Sequence, residues 1–293
     1  HFVMEIASND GYLLQFYVQK NIPCLGIEPA ANVAAVAQQK RNVSTRVAFF
    51  GRELAEEFAG KVDVLHANNV LAHVPDLPGF VQGIRRVLKE DGIAWIEVPS
   101  WFELIEGLSF DTIYHEHLSY FSLTALVRLF SAVELQVLEV ERLPLHGGSF
   151  LLKVGQGKMG KSVQELLEQE QQNGVDSPQP YQQFAERVQS FLKELRQTLQ
   201  KLHPARLAAY GAAAKGTILL NTAQIGDLIE YVVDRSTYKQ GRWIPGVRLP
   251  VLAPEKLLLD PPDFVLLLTW NFAEEILQQQ QEYIQRGGKF ILP

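Results

Sequence analysis

A short apolar strand, a loop, a helix and a second apolar strand ending on an acid occur twice in this chain, and few folds accept that pattern. The first copy is a strand at 2–6, the loop Ala7-Ser8-Asn9-Asp10-Gly11, a helix at 12–20 and a strand at 23–27 that ends at Glu28. The second is a strand at 207–210, a small-residue turn at 211–216, a helix at 217–223 and a strand at 229–233 that ends at Asp234. Parallel strands need a crossover, so each copy opens a parallel sheet with helices packed on its faces. Ligands of such sheets gather beyond the carboxyl ends of the strands.

The remaining pattern extends both copies. Strands are expected at 43–47, 62–67 and 93–98, with a turn at 89–92, and an antiparallel pair at 135–140 and 150–154. Helices are expected at 30–40, 51–59, 80–88 and 123–130. From 160 to 202, Gln, Glu, Leu and Phe at helical spacing predict two helices broken at 173–180. Beyond them come a strand at 264–269, a helix at 272–285 and a last strand at 289–292. The expected organisation is α/β: a Rossmann-like domain over 1–158, a helical linker over 159–204 and a smaller Rossmann-like domain over 205–293.

The loops discriminate between ligands. A dinucleotide site uses G-x-G-x-x-G, so that bare backbone approaches a pyrophosphate. The first loop has one glycine and a carboxylate, Asp10, which repels phosphate and suits an ammonium or sulfonium group. Glu28, 17 positions after Gly11, stands where a carboxylate accepts from the vicinal hydroxyls of a ribose. That favours S-adenosylmethionine over NAD, the alternative being an ordinary βα turn. In the second copy, small residues and Lys215 at a helix start suit an anion such as a diphosphate. A basic, aromatic loop follows at 238–246.

Composition narrows the classes. A formal charge of −6 argues against nucleic acid as a partner. The single cysteine, Cys24, excludes an internal disulfide framework and a cysteine zinc cage within this chain. No apolar run approaches the roughly 20 residues of a membrane span, and no signal-peptide pattern opens the chain, so a cytoplasmic protein without a membrane partner is expected. The sequence opens on His1 and enters a strand at once, which reads as a fragment of a longer protein.

The densest chemistry lies at 110–120, F-D-T-I-Y-H-E-H-L-S-Y, with two histidines, two tyrosines, an aspartate and a glutamate and no Lys or Arg. Histidine exchanges protons near neutral pH. An extended stretch would put Tyr114 and Glu116 on one side and His115 and His117 on the other; a helical one would pair Tyr114 with His117 and Glu116 with Tyr120. A half-buried polar turn is the plainer alternative. Asn68, Asn69 and His73 follow the strand at 62–67, also at a carboxyl end. His146-Gly147-Gly148-Ser149 is either a close approach to a substrate or a wide turn.

Taken in order, E-I-A-S-N-D-G-Y-L-L at 5–14, G-I-E-P-A-A-N-V-A at 26–34, H-A-N-N-V-L-A-H-V-P-D at 66–76, F-D-T-I-Y-H-E-H at 110–117 and H-G-G-S at 146–149 carry a resemblance. Y-G-A-A-A-K-G at 210–216, V-V-D-R-S-T-Y-K-Q-G-R at 232–242 and Trp270-Asn271 continue it over essentially the whole chain. The sequence resembles the S-adenosylmethionine-dependent C-methyltransferases of deoxysugar biosynthesis. Family members carry an N-terminal zinc domain that is absent here, so no metal site is expected.

The resemblance implies a class I methyltransferase domain and methylation of C-3 of a nucleotide-diphosphate-linked 4-keto sugar, expected to be dTDP-linked. A base removes the C–H proton, the enolate oxygen is stabilised and the carbon attacks the sulfonium methyl in line. It implies His117 as the base, Tyr114 and Glu116 as its support, and His73 polarising the keto oxygen or relaying protons. Glu5, Asn9, Asp10, Gly11, Glu28, Asn68 and Asn69 would hold the cofactor. His146, Tyr210, Gly211, Lys215, Gly216, Tyr238, Lys239, Arg242, Trp270 and Asn271 would hold the substrate. The competing classes are an NAD-dependent sugar-nucleotide oxidoreductase, against which the missing G-x-G-x-x-G counts, and a non-catalytic sugar-nucleotide-binding relative.

Overall fold

The structure, a computed structural model, describes residues 1–144 and 147–293. It divides the chain into two compact units. The first comprises 1–107 and 116–180; the second comprises 108–115 and 181–293.

In the first unit the strands are β1 (Val3–Ile6), β2 (Cys24–Ile27), β3 (Thr45–Arg46), β4 (Val62–Asn68), β5 (Leu88–Pro99), β6 (Gln136–Leu143) and β7 (Ser149–Gly155). They form one sheet in the order β3-β2-β1-β4-β5-β7-β6, parallel except for β7, which runs antiparallel to β5 and β6. Strand order reverses at β1, which pairs with β2 on one side and β4 on the other. That switch opens a crevice at the carboxyl ends of these strands. All four residues of β1 are buried, as a central parallel strand covered on both faces requires. The helices are α1 (Gln15–Gln19), α2 (Ala31–Arg41), α3 (Arg52–Glu57), α4 (Leu77–Val87), α5 (Trp101–Glu106), α6 (Leu123–Ser131) and α7 (Lys161–Gln172). The core joins Met4 and Ile6 to Leu65, Ile84, Ile96 and Leu126. Side-chain caps start three of these helices: Asp76 accepts from Gly79 N–H before α4, Ser100 from Glu103 N–H before α5 and Ser122 from Ala125 N–H before α6.

The second unit contains α8 (all but the first residues of Gln179–Lys201), then β8 (Leu207–Tyr210), α9 (Ala214–Thr222), β9 (Val232–Val233), β10 (Val251–Leu252), α10 (Lys256–Leu259), β11 (Phe264–Leu267), α11 (Ala273–Gln279), α12 (Gln281–Gln285) and β12 (Lys289–Ile291). Its sheet is parallel throughout, in the order β10-β9-β8-β11-β12, with a switch at β8. A separate core surrounds Tyr210, Tyr231, Leu267, Ile276 and Tyr283. Among the described residues, no helix is long and apolar enough to cross a membrane.

Several expectations are corrected. The turn expected at 89–92 lies within β5. The strand expected at 43–47 shrinks to two residues at the sheet edge, and the helix expected at 272–285 is divided at Gln280. Strand β10 and helix α10 were not anticipated, since two- and four-residue elements show no period. Of the helices in 159–204, α7 belongs with the first unit and nearly all of α8 with the second. Neither regular reading of 110–120 holds, because only 110–112 is helical, as one 3-10 turn, and 113–120 is irregular.

Candidate active site

At the crevice of the first unit, the loop after β1 turns within five residues because Ala7, Asn9 and Gly11 all take left-handed backbone conformations. A side chain at Gly11 would meet Val43 at 2.9 Å, and one at Gly26 would meet Ser8 Oγ at 2.3 Å, so the two strand tips approach as only glycine allows. Glu28 fixes this corner: one carboxylate oxygen accepts from Asn9 N–H at 3.0 Å and the other from Ala30 N–H at 2.9 Å. Asn9 Oδ1 accepts in turn from Asp10 N–H.

A cavity of about 480 Å³ opens beside these tips. Ala7, Pro29, Phe49, Phe50, Asn69 and His73 are among the residues that line it. Its walls are mainly apolar, with a few polar groups at the strand ends, which is the ordinary make-up of a small-molecule site. Asn69 has a left-handed backbone and a buried side-chain oxygen without a hydrogen-bond partner. Asp10 stands in the loop, but its carboxylate is paired with Arg41 of α2 at 2.6 Å, so a cation already answers its charge.

Glu5 lies beneath, 1% exposed, with one carboxylate oxygen that has no partner. Burial pushes its pKa up to about 8. Its neighbour in register, His66, is driven down to about 4 by burial and bonds the Tyr17 hydroxyl at 2.8 Å.

The histidine centre is built from two segments of the first unit. After β4 a 3-10 turn (Leu71–His73) presents His73, whose Nδ1 lies 2.8 Å from the backbone oxygen of Glu116. A carbonyl only accepts, so Nδ1 carries the proton and Nε2 of the neutral ring keeps its lone pair. Leu118 N–H donates to Ala72 O at 2.8 Å, clamping the two segments together. The clamp sets the His73 and His117 rings edge to face, with centroids 4.9 Å apart, and Tyr120 at 6.1 Å from His117. His117 is half-buried, whereas His115 and the Glu116 side chain are exposed. Tyr114 belongs to the second unit, so the chain passes from one unit to the other inside the Y-H-E-H motif. Tyr120 was missed as a candidate because no spacing rule tied it to His117 in an irregular segment.

In the second unit Gly211 has φ +102°, and a side chain there would meet Thr269 Oγ1 at 2.6 Å; Gly216 packs against Leu268. Lys215 lies over the Trp270 ring, 5.5 Å from its centroid. Asp234 repeats the arrangement of Glu28: it accepts from Ala212 N–H at 2.7 Å, in the loop after the neighbouring strand, and from Ser236 N–H at 2.8 Å. Lys239 pairs with Asp234 at 3.3 Å, while Tyr238, Arg242 and Asn271 are exposed. Tyr210, expected on the substrate, is instead a core residue, 3% exposed and packed with Phe290, because β8 is buried along its whole length. His146 lies outside the described residues.

Residues 2–140 match the family described as a methyltransferase domain, and residues 144–293 match the C-methyltransferase C-terminal domain. The C-methyltransferase NovU of Streptomyces niveus is 36% identical over 302 residues, spanning 99% of this chain and 71% of that protein. Among solved structures, a chain of the complex formed by the Haloferax volcanii Trm112 methyltransferase activator has a TM-score of 0.45 at 14% identity, over 54% of this chain and 82% of that one. The Burkholderia thailandensis 1,6-didemethyltoxoflavin-N1-methyltransferase with bound S-adenosylhomocysteine has a TM-score of 0.41 at 15% identity, over 54% and 71%. Structural likeness at this level says nothing about chemistry.

Proposed function

We propose, from the premise that this chain belongs to the C-methyltransferase family and is an S-adenosylmethionine-dependent enzyme, that it methylates C-3 of a nucleotide-linked 4-keto sugar. The cofactor supplies an electrophilic methyl group when bound. The residues of the crevice fit it: two tips where a Cβ would clash, an apolar-walled cavity and an acid at the end of β2. Glu28 would accept from the ribose hydroxyls with lone pairs that its two amide bonds leave free. Gly11, Asn9 and Asn69 would line the cofactor, with Asn68 and Glu5 below. Asp10 would act from within its Arg41 pair.

The chain's own chemistry is proton removal from carbon. One observation carries the reading: His73 and His117 face each other at 4.9 Å, with the His73 tautomer set by the Glu116 carbonyl. His117 takes the proton from the carbon beside the ketone. His73, with its lone pair at Nε2, accepts that proton from His117 in relay, or donates to the enolate oxygen once protonated. Tyr114 and Glu116 support the base and the sugar. In the second unit the exposed Tyr238, Arg242 and Asn271, with Gly211, Lys239 and Trp270, are the proposed contacts for the nucleotide diphosphate, dTDP being the form proposed.

The test is hydrogen exchange into the substrate. In D2O with S-adenosylhomocysteine, the wild-type enzyme washes deuterium into C-3 of an accepted 4-keto sugar nucleotide, and His117→Asn does not, while its S-adenosylhomocysteine affinity stays within a few-fold. Wild-type exchange by His117→Asn removes His117 as the base.

A further inference from the structure

The aspartate of the F-D-T-I-Y-H-E-H motif has no part in the chemistry above, yet it is buried. Asp111 is 3% exposed and lies on the 3-10 turn Phe110–Thr112, which packs on α9 of the second unit. One of its oxygens accepts from Trp270 Nε1–H at 3.3 Å, and the other has no hydrogen-bond partner. The Lys215 ammonium over the Trp270 ring is also buried without a hydrogen-bond partner. Burial pushes the Asp111 carboxyl up, and the charge of Lys215 opposes that push.

A carboxylate and an ammonium removed from water each cost several kcal/mol unless an opposite charge is near. Lys215 offsets the Asp111 charge from beyond ion-pair distance, and both groups meet the same indole, which donates a hydrogen bond to Asp111 and turns its π-face to Lys215. Around this trio the segment is tied down further. Phe110 is buried with its ring 6.0 Å from Phe191 of α8, and Thr112 Oγ donates to Ser109 O at 2.7 Å.

We propose that Asp111 is a positioning residue: bonded to Trp270 and held in the field of Lys215, it latches residues 108–115 onto the second unit and so fixes the presentation of Tyr114, three residues further on. The part played by Tyr114 rests on the proposed function; the latch itself does not. It also changes the work given to Lys215. An ammonium committed to Asp111 holds the catalytic segment, and the diphosphate is left to exposed groups such as Arg242.

Four full-length variants test this: Asp111→Asn, Lys215→Met, the double variant, and Trp270→Phe, which keeps an aromatic ring but removes the N–H donor. Hydrogen–deuterium exchange is read across 108–117, and S-adenosylhomocysteine affinity by calorimetry. The latch predicts that Asp111→Asn speeds exchange in 108–115 by about tenfold or more, with β1 and β4 amides unchanged and cofactor affinity within about twofold. Lys215→Met does the same, the double variant is no worse than either single one, and Trp270→Phe gives a smaller increase. With an accepted sugar nucleotide, Asp111→Asn lowers kcat and leaves KM within about twofold, and Asp111→Glu recovers part of kcat. Wild-type exchange in 108–115 for both Asp111→Asn and Trp270→Phe overturns the latch. So does a Lys215→Met variant that raises KM alone and leaves exchange unchanged, because Lys215 is then a substrate ligand. If Asp111→Asn does not fold, Trp270→Phe and Asp111→Glu decide by the same exchange readout. Failure to methylate any sugar would count against the proposed substrate and leave the exchange result standing.

Discussion

Glu5 and His66 are partners in register on β1 and β4, and burial moves their proton affinities in opposite directions. Glu5, raised to about 8, holds a proton in the folded state that the unfolded chain releases near its ordinary value of 4.5. Its contribution is therefore complete below 4.5 and is lost as pH rises toward 8. His66, lowered to about 4, must take up a proton on unfolding below its ordinary 6.5, so its contribution is present above 6.5 and is lost as pH falls toward 4. Burial, and after it the Glu5 carboxylate, raises the pKa of Tyr12, Tyr17 and Cys24, so they do not offset it near neutral pH. Between roughly 4.5 and 6.5 the two slopes cancel, and between 6.5 and 8 Glu5 alone acts. Thermal unfolding is expected to show a midpoint that declines from pH 6.5 to 8, and Glu5→Gln removes the decline. An unchanged decline in that variant would assign it to another group. Glu28→Ala deletes the carboxylate that ties the β1 loop to the β2 tip, and calorimetry should show S-adenosylhomocysteine binding weakened by about tenfold or more; unchanged affinity would remove Glu28 from the site.

At the scale of elements, Glu170 of α7 is fully buried and accepts from Leu123 N–H, Thr124 N–H and Thr124 Oγ–H at the start of α6. Three free donors at a helix N-terminus make this an anchor for α6. Glu170→Ala should cost about 2–3 kcal/mol, read as a lower urea midpoint, whereas a midpoint equal to wild type would make the contact incidental. Glu170 was not legible as a partner of α6, because 46 residues separate it from Thr124 and its segment reads as a solvated Gln/Glu face. Elements with a clear pattern were legible: β1, β8 and β11 as short apolar runs, and α6 as the helix at 123–130. So were positions set by chain geometry, such as Glu28 and Asp234 at strand tips. What tertiary contact decides was not. The His73 bond to Glu116 spans 43 residues and the Trp270 bond to Asp111 spans 159. Within segment 113–120 the Leu118 and Ser119 N–H groups both donate to Ala72 O, a contact that no spacing rule reveals.

Each unit has its own sheet and core, and the chain passes from one to the other after Gly107, His115 and Pro180. Of the residues proposed for catalysis, His73, Glu116 and His117 belong to the first unit, and Tyr114, from the same motif as Glu116 and His117, to the second. The most direct measurement follows the methyl group itself. Full-length enzyme is incubated with S-adenosylmethionine carrying a 13C methyl and a panel of nucleotide-linked 4-keto sugars, and the product is read by NMR. The expected result is a labelled methyl bonded to C-3, formed by wild type and absent with His117→Asn. A label attached to oxygen or nitrogen, or a C-3 methyl formed equally by His117→Asn, would contradict it.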